Sequence, residues 1–121
     1  MARARIDDPA GLSAVREWAG APDAVSRDVR ALAVRYTLQL LAERAEGNTL
    51  EVRVPPFGAV QCIEGPRHTR GTPPNVVEMD AATWLELATN RLAWVDGIAT
   101  GRIRASGQRA DLSGELPVVA S

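Results

Sequence analysis

From Val25 to Leu40 the apolar residues Val25, Val29, Leu32, Ala33, Tyr36 and Leu40 return at three- and four-residue steps. That spacing predicts an amphipathic helix, opened by Asp23 or Ser26 and ending near Glu46 before Gly47-Asn48. Arg27, Arg30, Arg35, Glu43 and Arg44 fill its other faces. A long helix with one apolar stripe must bury that stripe against another layer. The next residues supply one, because Thr49–Val54 alternates strictly, with Leu50, Val52 and Val54 on one side and Thr49, Glu51 and Arg53 on the other. Period two is the pattern of a half-buried strand. The change of period predicts a helix laid across a sheet.

The remaining elements follow from punctuation. Met1–Asp7 reads as a loose arm, followed by a short helix opened by Asp8 and Pro9 that carries Leu12, Val15 and Trp18 and is broken by Gly20-Ala21-Pro22. Pro55-Pro56 ends the first strand, since neither residue donates to a ladder. Phe57–Ile63 resumes as a second strand in a hairpin with the first. Whether Val60 and Cys62, or Phe57, Ala59 and Gln61, face inward depends on register. The ten residues Gly65–Pro74 have no periodicity and read as a loop. Asn75–Met79 is a short strand ending on Asp80, which caps a helix bearing Trp84, Leu87 and Ala88. A second short helical segment carries Leu92, Trp94, Val95 and Ile98, and Gly101 stops it. Arg102–Ser106 alternates as a strand with Ile103 and Ala105 on one side. Gly107 leads into a last amphipathic piece with Ala110, Leu112 and Leu116, before Pro117. The expected class is α+β, one domain over residues 1–121, with an arm and short helix at 1–22 and the core at 23–117.

Length and charge narrow the function. A chain of 121 residues holds one core and little more. With a net charge of −1 there is no electrostatic case for nucleic acid or an anionic membrane. All fourteen basic residues are Arg, leaving no Lys for Schiff-base chemistry. One Cys fits a reducing compartment, and no apolar run is long enough for a bilayer span, so the expected location is cytoplasmic. Cys62 and the single histidine, His68, are too few for a structural zinc site. Cys62 reads as a small buried hydrophobe and His68 as a loop residue, beside Arg67 and Arg70 in a small basic tip. Gly97, Gly101 and Gly107 miss the phosphate-loop patterns and read as turn glycines. No carboxylate pair is spaced for acid–base work, so catalytic residues, cofactor and metal are all expected to be absent. Trp84 and Trp94 are the two aromatics placed to face one core or one pocket.

The segment Glu51–Leu116 resembles the sterol carrier protein family of non-specific lipid-transfer domains, most of all its small stand-alone actinobacterial members. Two runs carry the resemblance: VVEMDAATWLELAT (Val76–Thr89), where an acidic residue opens a helix after a strand, and WVDGIATGRIRASGQRADL (Trp94–Leu112). In that family a Gly, a charged residue, alternating apolar positions and a second Gly mark the last strand; here they are Gly101, Arg102, Ile103, Ala105 and Gly107. The resemblance implies a mostly antiparallel sheet of four to five strands covered by helices, with an apolar tunnel for sterols, fatty acids or acyl-CoA and a closing helix over it. It implies no cofactor and no catalysis. The chain departs from the pattern at GPRHTRGTPP, where the family has a further strand.

The expected function is therefore a non-enzymatic lipid, sterol or fatty-acyl carrier, with no nucleic-acid partner and no stable membrane insertion. Its pocket candidates are Val52, Val60 and Cys62 on the sheet and Trp84, Leu87, Trp94 and Ile98 on the lid, with Leu112 and Leu116 as gates. The alternative is a protein-interaction module of the same fold with a filled core, whose surface would be the loop Gly65–Pro74 and an exposed Val118-Val119 tail. An enzyme using the lipid pocket would need both Cys62 and His68.

Overall fold

Side-chain caps set the starts of the first two helices. The computed structural model describes residues 4–65 and 75–119. In it Asp7, rather than Asp8, caps α1 (Asp8–Gly20), its carboxylate accepting from the Ala10 amide at 2.8 Å. Ser26 caps α2 (Arg27–Arg44) through the Val29 amide at 3.1 Å. These contacts satisfy amides that a helix start otherwise leaves without partners. α1 buries Gly11, Ala14, Val15 and Trp18. The buried face of α2 is offset from the predicted stripe: Ala31, Ala33, Val34, Tyr36, Thr37, Leu38 and Leu41 are enclosed, while Val25, Val29, Leu32 and Leu40 are only half-buried. The reason is that α2 is flanked by α1, by the sheet and by a third helix at once. The approach of α1 is so close that a Cβ on Gly11 would lie 2.1 Å from the Tyr36 ring.

The arm is not loose over its described residues. The Arg5 guanidinium forks onto Glu43 at 2.6 and 3.0 Å and reaches Asp8 at 3.2 Å. The Gln39 amide accepts from the Ile6 N–H and donates to the Ile6 carbonyl, both at 2.9 Å. Local periodicity carries no trace of the contacts to Glu43 and Gln39, which join residues more than thirty positions apart.

Four strands form one sheet among the described residues, in the order β2-β1-β3-β4. β1 (Leu50–Val54) and β2 (Gly58–Cys62) are the expected hairpin, registered Leu50 to Cys62 and Val54 to Gly58. The Phe57 amide closes the turn onto the Val54 carbonyl at 2.9 Å, across a cis Pro55-Pro56 bond. β3 (Asn75–Glu78) lies parallel to β1, and β4 (Arg104–Ser106) is antiparallel to β3. The sheet is thus mixed, with two antiparallel pairings and one parallel. The register settles the face of β2: Cys62 is buried and Val60 half-buried, while Ala59 and Gln61 are exposed. Leu50, Val52, Val54, Val77 and Ile103 join Trp18, Tyr36 and Leu41 in one core under the helices. Glu51–Arg53 and Glu78–Arg104 ion pairs mark the polar residues of the strands. Ile103 is buried, while Ala105, which pairs with Val77 on the short edge strand β4, is exposed.

The closing helix does not form. After Gly107 the chain makes only a three-residue 3-10 turn, Ser113–Glu115. The Asp111 carboxylate takes the Ser113 amide at 2.8 Å, a local bond that competes with helical pairing. Leu116 is extended at φ −108, ψ 149, the conformation favoured by a residue preceding proline. Nor is the Val118-Val119 tail exposed: both residues are half-buried, and both amides donate to the Ala88 carbonyl, at 3.0 and 3.1 Å. The expectation of a loop at 65–74, with its basic tip Arg67, His68 and Arg70, falls on residues of which only Gly65 is described.

Candidate functional site

α3 (Ala81–Ala88) begins at Asp80, whose carboxylate accepts from the Thr83 amide at 2.8 Å. Partial desolvation pushes the Asp80 carboxyl upward, but hydrogen bonds from Thr83 and the Arg102 charge outweigh it and hold the group below its ordinary value. Arg102 also fixes the outer face of α3, donating to both Glu86 oxygens at 3.1 and 3.0 Å and to the Thr83 hydroxyl at 3.1 Å. At the other end Asn90 adopts a left-handed conformation, φ 64. The Arg91 amide then reaches the Glu86 carbonyl at 2.7 Å and the Asn90 amide reaches Leu87 at 3.3 Å. This is a Schellman ending with asparagine where glycine is usual. It reverses the chain so that Leu92 comes back toward Leu87.

α4 (Trp94–Ala99) follows after that reversal, and its buried Gly97 sits against the Ile103 side chain, where a Cβ would come within 2.4 Å. So short a helix buries little of itself. Trp94 is half-buried, Val95 stays 68% exposed and Ile98 41% exposed. Between the end of α3, the start of α4 and the C-terminal turn lies an open hollow of about 400 Å³. Leu87, Leu92, Trp94 and Leu116 supply its larger apolar walls, with Ala93 and Val95; Asn90 and Ser113 are its polar members. Its volume falls in the range of roughly 300–1,000 Å³ typical of small-molecule sites. A second hollow, about 490 Å³, lies between the arm and α2, where Ile6, Ala10, Ala31 and Leu32 supply apolar wall and Arg5, Asp7, Asp28 and Arg35 are also lining residues. The α3–α4 hollow is the candidate site.

The nine residues expected to line a pocket divide between two places. Trp94 and Leu116 come together in the hollow, and Leu87 borders it while itself enclosed in the core at 1% exposure. Ile98 lies on α4 outside the hollow's lining. Val52, Cys62, Trp84 and Leu112 are fully enclosed in the core, and Val60 packs half-buried against it. Trp84 is held there by its indole N–H, which donates to the Thr37 hydroxyl at 2.8 Å. Burial, with a smaller push from Glu115, raises the Cys62 thiol to about 11, so it is neutral and weakly nucleophilic near pH 7. His68, the other half of a Cys–His pair, lies outside the described residues. Among the described residues no three His, Cys, Asp or Glu side chains group as metal ligands, and no helix is long and apolar enough to cross a membrane.

Asn90 and Ser113 were not among the residues the sequence singles out. Asn90 had a signal, an asparagine directly after the apolar rhythm of α3 stops, which is a known left-handed cap. Ser113 had none, since its place depends on a turn that brings 113–116 back to α3.

A family described as bacterial SCP ortholog matches residues 26–118, well over half of the chain. No curated protein matches it. The chain belongs to this sterol carrier protein-like family.

Proposed function

We propose that this member of the sterol carrier protein-like family is a non-catalytic carrier that holds the apolar body of a lipid, a sterol or acyl chain, in the hollow between α3, α4 and the C-terminal turn. The observation that carries the reading is the hollow's lining: Leu92, Trp94, Val95 and Leu116 meet there around a mixed polar and apolar concavity whose lining residues include no charged side chain. Exposed apolar side chains that surround a concave site are where a ligand gains most from leaving water. Val95 alone is 68% exposed, and covering that fraction is worth about 1–2 kcal/mol of the roughly 1.5–3 kcal/mol for full burial of such a side chain. Several such contacts give modest affinity with weak selectivity for shape, which suits a carrier that must release what it binds. The family's role supports the same reading.

The test is native mass spectrometry of the purified full chain with solvent extraction, together with Trp emission during titration with a sterol and a fatty alcohol. The expected result is a saturable change that disappears in Trp94→Phe and weakens by roughly tenfold or more in Val95→Asp, with unchanged thermal stability. A flat titration in the unmodified protein would refute the carrier reading. It would favour the alternative, an interaction module whose core is filled by Trp18, Tyr36 and Trp84.

A further inference from the structure

Resting on the carrier reading, we infer that the outward face of α4 docks reversibly on the surface of a lipid bilayer, where the hollow takes up and gives back its lipid. Val95, 68% exposed, and Ile98, 41% exposed, are the large apolar side chains that the described residues leave exposed. They are not scattered. Three positions apart on one short helix, they share a face. Val95 also lines the hollow, together with the half-buried Leu92, Trp94 and Leu116. The patch and the mouth of the hollow are therefore one continuous surface. Among the described residues nothing accepts from the Trp94 indole N–H. An indole with an apolar body and a free polar edge suits a membrane–water boundary.

Size and charge select the occupant. The two side chains leave on the order of 100 Å² of apolar surface in water, against about 800 Å² per partner in a specific protein interface. That is far short of what a stable contact with a second copy or another protein needs. A bilayer asks for no shape complementarity, and each apolar side chain that passes its head groups gains by leaving water. The exposed charges of residues 90–100 are one of each sign, Arg91 and Asp96, so the face has no net charge for an anionic surface to attract. The contact rests on apolar insertion, and it lies on the bilayer, since no described helix is long and apolar enough to cross one. Two shallow side chains hold weakly, as a carrier that must leave with its load requires. In this pose the hollow opens against the membrane, and a lipid passes between them without its apolar body crossing water.

The experiment is flotation of the full chain with phosphatidylcholine vesicles, with phosphatidylserine added in one arm and high salt in another. Titration with 1-decanol without vesicles, read by Trp emission, runs beside it. The chain should float with pure phosphatidylcholine, and neither phosphatidylserine nor salt should change the bound fraction by more than about twofold. Ile98→Asp is the deciding variant, because Ile98 belongs to the face but not to the hollow's lining. It should lower vesicle partitioning at least about fivefold and leave decanol binding unchanged. Ile98→Trp should raise partitioning, and it decides the matter where circular dichroism shows Ile98→Asp to be misfolded; an unchanged value there would overturn the inference. No flotation with decanol binding intact would overturn the docking face and spare the carrier reading, whereas loss of both would remove that reading as well. Flotation that needs phosphatidylserine and fails at high salt, or that survives Ile98→Asp in a folded protein, would also overturn it. So would a concentration-dependent dimer abolished by Ile98→Asp in place of vesicle binding, which would assign the face to a second copy.

Discussion

Whether Trp84 belongs to a dry core or to the wall of a cavity can be decided through its partner. Thr37 and Trp84 are both fully buried. The indole N–H donates to the Thr37 hydroxyl at 2.8 Å, and that hydroxyl in turn faces the Ala33 and Val34 carbonyls at 2.7 and 3.0 Å. Thr37→Val keeps the shape and removes the acceptor. The two carbonyls keep their helical amide donors, but the indole N–H is left without a partner, a loss of roughly 1–3 kcal/mol. The added methyl returns up to about 0.8 kcal/mol. The expected net loss is about 1–2 kcal/mol, or roughly 3–10 °C in Tm for a chain of this length. The assay is urea and thermal unfolding of Thr37→Val, Trp84→Phe and the double variant. In the Trp84→Phe background no N–H is orphaned, so Thr37→Val should become neutral or slightly stabilising, giving a coupling of about 1–2 kcal/mol. A neutral Thr37→Val in the unmodified protein would mean that water or a ligand satisfies the indole. Trp84 would then face a cavity, and the dry-core argument would fail.

Two further outcomes follow from contacts described above. Gly11→Ala places a methyl 2.1–2.5 Å from three atoms of the Tyr36 ring, so α1 must shift from α2; a loss of about 1–3 kcal/mol in urea unfolding is expected, and a neutral result would refute the close approach. The alkaline limit of stability should be set by two buried groups: burial first, then the hydrogen bond to Asp8, pushes Tyr36 from 10.0 up to about 12, and burial pushes Cys62 from 9.0 up to about 11. Both protons are held more tightly in the folded state, so this contribution is complete below about pH 9 and is lost as the pH rises through about 11–12. Tyr36→Phe should flatten the upper part of that profile in a pH series of thermal melts, and an unchanged profile would count against it.

Much of this architecture is legible in local sequence, and the exceptions share a cause. The rhythm of α2, the alternation of β1, the Pro-Pro hairpin and the Asp80 cap depend on residues within a few positions of each other, and all four stand in the structure. The buried face of α2 is offset from its apolar stripe because small and polar residues, Ala31 and Thr37, are enclosed by three neighbours that periodicity does not see. The end of the chain misleads for a different reason. Ala110, Leu112 and Leu116 have amphipathic spacing, but Asp111 and Pro117 divert the backbone by local bonding and sterics. The hollow is harder still. Leu87, Trp94 and Leu116 could each be named as pocket candidates, yet their meeting depends on the left-handed turn at Asn90 and on a 3-10 turn more than twenty residues later.

The attachment of the arm to α2 carries a consequence of its own. A glutamine side chain ends in the same amide unit as the backbone, and Gln39 offers its oxygen and nitrogen to Ile6 as a neighbouring strand would. Recognition at that point reads only the main chain. The side chain at position 6 is therefore free to vary as far as this pairing is concerned, with proline as the exception because it lacks the N–H. An unrelated extended peptide with a free N–H and carbonyl could be clipped to the helix in the same way, which makes Gln39 a portable fastening for grafting a segment onto this fold.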